Sequence, residues 1–250
     1  MIAYSSISCY AQKVPYDTLK IDSVRFMMKS SRVELNSFIE YAVNDGSSLS
    51  KSVNSYIISQ FGKQQVPDTA TMIDRAGLFG ISKFSELSKD ANDLVAQGGI
   101  IYAPYNNELN VNKIYEDSKV VSFGTFSMDY RGGAHPNSSF TGATFVKSDG
   151  KQLGYDIFKD TASKEFRNVL INGLKLYFGV KTHAQLIDYL LDIKSVKQIP
   201  LPKAAPIFTE NGIKLIYGQY EIASYAAGMP TIIIPYDVAK DLLNNPSEVF

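Results

Sequence analysis

The spacing of apolar residues changes partway along this chain, and that change restricts it to a mixed fold. Leu49, Val53, Tyr56, Ile57 and Phe61 recur at the three- to four-residue spacing of one helix face, behind the capping candidates Ser47 and Ser48. Phe84, Leu87, Ala91, Leu94 and Val95 repeat that pattern and stop at Gly98-Gly99, with a further helical piece expected around residues 68–78. From Val121 the period drops to two: Val121, Phe123, Thr125 and Ser127 alternate with Ser122, Gly124, Phe126 and Met128, which predicts a long strand ending at Tyr130.

Elements on either side follow from the same rules. Leu19 to Phe26 alternates as a strand, and the first hundred residues otherwise read as helical. Ile100 to Tyr105 is a short apolar run. Phe140 to Lys147 reads as a strand closed by the hairpin signal Ser148-Asp149-Gly150-Lys151. Phe166, Val169, Leu170, Leu174 and Tyr177 mark a helix ending at Gly179, and Thr182 with Gln185 has capping-box spacing before a short helix. Residues 199–206 carry three prolines and suit an extended connector. The Asn211-Gly212 turn joins Phe208 to a strand at 213–217, and a strand over 231–234 precedes a last helix at about 237–244. Strands and helices arranged in blocks, with frequent hairpins, predict an α+β class: an antiparallel sheet meander with helices packed on it. The division expected is a helix-rich region over 1–114 and a second region over 115–250, packed as one unit.

The chemistry available to the chain is narrow. With 25 basic and 25 acidic residues in 250 the net charge is zero, which removes the basic footprint that nucleic acid demands. No run of roughly 18 apolar residues exists to span a bilayer. One cysteine, Cys9, and two histidines, His135 and His183, supply no metal-ligand spacing. Phosphate loops, dinucleotide fingerprints, nucleophile elbows and zinc-protease motifs do not occur, so no cofactor is expected. Residues 1–12 show no export signal, and Cys9 as a lipid-modified cysteine has a poor processing site before it. The surplus of 16 Tyr and 14 Phe over zero Trp suits sheet faces and contact surfaces alike.

Two segments carry too much specific character for connecting loops. One is Asp129-Tyr130-Arg131-Gly132-Gly133-Ala134-His135-Pro136, a corner where two glycines permit positive φ. The other runs from Tyr217 to Gly228 and includes Tyr220, Glu221 and Tyr225. As a recognition surface they offer Tyr and Arg, the residue types that dominate binding hot spots. The competing structural reading has His135, Tyr220 and Glu221 hydrogen-bonding one another to pin two corners of the sheet. A hydrolase using His135 as base is the enzymatic alternative and requires that imidazole to stand exposed beside a nucleophile.

Together these segments resemble the C-terminal domain of the bacterial anti-sigma factor RsiV. The likeness is carried by Tyr130, Gly132, Gly133, Ala134, His135 and Pro136, then by Phe208, Gly212, Ile213, Leu215, Tyr217, Tyr220, Glu221, Ile222, Tyr225, Ala226 and Gly228, and finally by Pro235 and Tyr236. It covers roughly residues 115–245. The preceding stretch is similar, more loosely, to the N-terminal domain of the peptidoglycan deacetylase PdaC. The resemblance implies an extracytoplasmic, non-enzymatic domain of the cell envelope, with an outline loosely like the actin/Hsp70 ATPase and no cofactor. It also implies a binding role whose candidate partners are C-type lysozyme and peptidoglycan. The binding residues expected on that basis are Tyr130, Arg131, His135, Tyr217, Tyr220, Glu221 and Tyr225. With no membrane span, no sigma-binding helix and no deacetylase domain in the sequence, an exported or lipid-anchored stand-alone version is the expected form.

Overall fold

The computed structural model describes residues 16–63, 65–67 and 69–250; the readings made for residues 1–12, including Cys9, lie outside them. Its frame is a five-stranded sheet in the spatial order β1-β2-β3-β4-β5, formed by β1 (Ile21–Lys29), β2 (Val33–Ala42), β3 (Tyr105–Glu116), β4 (Val120–Tyr130) and β5 (Asn137–Val146). Neighbours pair antiparallel except β2 and β3, which run parallel because α1 (Ser48–Ser59) and α2 (Met72–Ala96) carry the chain back between them. The helices cover one face of the sheet. There Val53 and Ile57 of α1 bury against Ile39, Leu109, Val111, Val121, Phe123 and Phe145.

Local chemistry explains the helix boundaries. Ser47 caps α1 by accepting from the backbone N–H of Ser50, and Thr71 opens α2 in a capping box with Asp74. The two helical pieces expected between 68 and 95 are one continuous helix, whose interior Gly80 lets the ring of Phe26 in β1 approach to about 2.1 Å from where a Cβ would sit. Beyond its C-terminal end, Ile100 and Tyr102 are exposed and only Tyr105 of the short apolar run enters a strand.

Strands β2 and β3 depart most from the sequence expectation, for the stretch read as helix-rich contributes β1, β2 and most of β3. Over Val33–Ile39 of β2 the buried residues are Val33, Leu35, Ser37 and Ile39, so a serine faces inward while Phe38 turns to the opposite face, and the polarity pattern inverts mid-strand. In β3 four asparagines mask the alternation of buried Tyr105, Asn107, Leu109 and Val111; pairing on both sides holds residues of poor strand propensity in place.

The other face of the sheet meets a smaller one, β6 (Ile207–Thr209), β7 (Gly212–Ile216) and β8 (Thr231–Ile234), all antiparallel. Gly142 leaves room there for Ile207, and the hydroxyl of Thr144 accepts from the backbone N–H of Phe208 at 2.9 Å. On β8 lies α3 (Lys164–Phe178), where Gly173 admits Ile232, and α3 ends at Gly179 in left-handed backbone. The short α4 (His183–Ile187) carries the expected Thr182–Gln185 capping box, and α5 (Tyr236–Leu242) closes the chain near β7. Phe166, Leu170 and Leu174 of α3 with Phe208, Leu215 and Tyr217 form the second core. The class is α+β, as the alternation of the sequence predicts, with one parallel pair inside an otherwise antiparallel arrangement.

Candidate functional site

The end of β4 and the start of β5 are joined by the corner 131–136, where Gly132 and Gly133 take φ values of 85° and 95°. A side chain there would cost of order 1 kcal/mol per residue. The turn is closed by the Tyr130 hydroxyl, which donates to the carbonyl of Gly133 at 3.2 Å.

Arg131 turns away from the corner toward α2. Its guanidinium pairs with Asp129, at 2.9 Å from Nε, and with Glu86 and Asp90 of the helix. Glu86 and Asp90 stand four residues apart on one helix face, a signal the sequence carries in plain view. Hydrogen bonding to Arg131 holds the Glu86 carboxyl below its ordinary value. Burial pushes Asp129 upward, but Arg131 and Lys83 together outweigh it and hold that carboxyl low as well. Arg131 therefore ties the corner to α2.

His135 lies flat on Tyr225, with ring centroids 3.5 Å apart and planes 16° apart. Its Nδ1 is 3.2 Å from the carbonyl of Pro136, a contact in which the nitrogen must donate. Nε2 lies 3.4 Å from the Tyr220 hydroxyl. Both ring nitrogens are thus engaged, and the imidazole is half-buried. Tyr220 is 54% exposed and has φ of 61°, a left-handed conformation that a bulky residue adopts only when its surroundings impose it. Its ring centroid is 5.9 Å from that of Tyr225. The three rings form one partly exposed cluster.

Glu221 does not join His135 and Tyr220. Its two carboxylate oxygens accept from the backbone N–H groups of Gly218 and Lys203, each at 2.7 Å, so it fixes the 217–221 turn against the proline-rich connector. Tyr217 is fully buried; its hydroxyl donates to the carbonyl of Pro200 at 2.6 Å, and burial drives its ionisation well above the normal tyrosine range. Gln219, which the sequence reading did not single out, stitches the two segments by accepting from the backbone N–H of Ser138 at 3.1 Å. Tyr177 supports the second segment from α3, donating to the carbonyl of Ala227 at 2.6 Å.

Of the seven expected residues, the structure brings His135, Tyr220 and Tyr225 together at the surface. Tyr130, Arg131 and Glu221 serve as local ties around them, and Tyr217 anchors the segment from the core. Among the described residues, no group of three or more His, Cys, Asp or Glu is placed to hold a metal ion, and no helix is long and apolar enough to cross a membrane.

Comparison with known proteins gives the fold a context. Residues 155–237 match a family described as a protein of unknown function, DUF3298. No curated protein matches the chain. The crystal structure of a member of the DUF3298 family from Bacteroides fragilis is similar at a TM-score of 0.76 and 21% identity, covering 90% of this chain and 94% of that one. A DUF3298 family protein from Pseudomonas aeruginosa is similar at a TM-score of 0.60 and 14% identity, covering 92% and 96%. At those identities the likeness speaks for a shared fold.

Proposed function

We propose that this chain with its DUF3298-type domain is a non-catalytic recognition module of the bacterial cell envelope, docking a partner through the His135–Tyr220–Tyr225 cluster. One observation carries the reading: Tyr220 is held more than half exposed in a left-handed backbone, against a histidine stacked on a second tyrosine. Strained, exposed aromatic residues on a braced support have the character of binding anchors, because the energy of holding the ring is spent before the partner arrives. The likeness of the two motifs to RsiV makes a C-type lysozyme the first partner to test and peptidoglycan the second. Against use of His135 as a base stands the engagement of Nε2 with the Tyr220 hydroxyl and Nδ1 with Pro136.

The test is biolayer interferometry of the immobilised protein against a C-type lysozyme, with an equally basic small protein as charge control. Salt-resistant binding to lysozyme alone at micromolar affinity, about 8 kcal/mol, is expected. Tyr220→Ala should abolish it with the melting temperature nearly unchanged. Equal binding to the control, or insensitivity to Tyr220→Ala, rules out this docking surface; binding of peptidoglycan fragments instead moves the partner to the glycan.

A further inference from the structure

A second site lies away from the aromatic cluster and does not depend on it. Arg167, in the first turns of α3, is half-buried, and its Nη2 donates to the carbonyls of Ile199 at 2.7 Å and Val196 at 3.2 Å. No carboxylate pairs with it among the described residues. Asp160, the nearest acid in the preceding loop, turns its carboxylate to the backbone N–H of Ala162 instead. A guanidinium has five N–H donors, and the two carbonyl bonds occupy one terminal nitrogen, so Nη1 and Nε keep theirs free in a fork whose orientation is already set.

Arg167 lines an open pocket of about 540 Å³, in the size range of small-ligand sites. Ile171, Ile199 and Leu201 supply apolar wall, and Lys197 stands exposed on the rim. A partly desolvated cation with no carboxylate partner among the described residues, in a pocket with apolar walls, favours a ligand that brings an anion on an apolar body.

We propose that this pocket binds a carboxylate attached to an apolar group, with Arg167 receiving the carboxylate, Lys197 adding charge from the rim and the apolar part lying against Ile171 and Leu201. Two sources offer that chemistry: an acyl chain, or the free C-terminus of a peptide with an apolar side chain.

The test is an NMR titration of the full chain with octanoate and with N-acetyl-leucyl-alanine, each beside its neutral amide. Saturable shifts at Leu201, Lys197 and the first turn of α3 are expected with at least one carboxylate, and about tenfold weaker binding of the matching amide, or about 1.4 kcal/mol. Which carboxylate binds identifies the source. Arg167→Lys, which keeps the charge and loses the fork, should weaken binding by a comparable factor. Lys197→Gln, at an exposed position where folding is not at risk, should weaken it severalfold. Absence of saturation with both carboxylates, or amides binding equally well, overturns the proposal. Lysozyme binding is read separately, so failure at either site leaves the other standing.

Discussion

The imidazole of His135 stacks on the ring of Tyr225 at 3.5 Å between centroids, joining the β4–β5 corner to the segment that leads into β8. Through that contact the two sheets share one surface feature, with Gln219 on Ser138 as a second stitch beside it. Tyr220 is presented on this joint, and its geometry depends on both sheets being in place.

Tyr220 separates strain from contact. Glycine relieves the left-handed backbone and alanine does not, so Tyr220→Gly should be more stable than Tyr220→Ala by about 1 kcal/mol in urea unfolding. Both variants lack the ring and should bind partner equally poorly. Equal stability of the two would mean that the positive φ at this position stores no strain.

Glu221 tests the brace behind the cluster. Replacing its carboxylate with an amide turns one acceptor into a donor facing a backbone N–H, either of Gly218 or of Lys203. Glu221→Gln should destabilise by about 1–3 kcal/mol, read by urea unfolding. A change within error would show that the turn holds without this residue.

Arg131 predicts a pH dependence. The carboxyls of Glu86 and Asp129 are held below their unfolded values, so their contribution is complete above those values and is lost as pH falls through the depressed ones. The pairs are partly exposed, so Arg131→Met should cost no more than about 1 kcal/mol at neutral pH. The difference from the parent protein should shrink progressively below about pH 4. Hydrogen exchange in the second half of α2 should rise in the variant at neutral pH; unchanged exchange there would argue against the tie.

Gly80 sets two rules against each other. Alanine is the better helix former by about 1 kcal/mol, but its Cβ would fall about 2.1 Å from ring atoms of Phe26. Overpacking of this kind costs about 1–3 kcal/mol, so Gly80→Ala should be neutral to destabilising. Phe26→Leu together with Gly80→Ala should recover part of any loss. A stabilised single variant would mean that β1 yields readily at this contact.

Elements whose signals are local could be read directly from the order of residues. Ser47 and Thr182 capped the helices their spacing predicts, Gly179 ended α3 and Gly132-Gly133 made a corner, because capping and positive φ depend on a few adjacent residues; the turn from β6 to β7 falls on Glu210-Asn211, one residue before the expected pair, with Gly212 already in β7 opposite Thr209. The two segments that carry His135, Tyr220 and Tyr225 also stood out from connecting loops, through residue type and company. Which partners each residue meets depends instead on how distant segments pack. Whether Ser37 or Phe38 faces the core depends on both neighbours of β2, and whether Asn-rich β3 is a strand depends on partners on each side. The burial of Tyr217, the turning of Arg131 to α2 and of Glu221 to two backbone amides, and the bonding of Arg167 to the carbonyls of Val196 and Ile199 all follow from contacts between distant segments. Sequence spacing records which groups are available; which of them find partners is settled by packing, because an ion pair or a buried hydroxyl is a relation between elements that meet only in the folded chain.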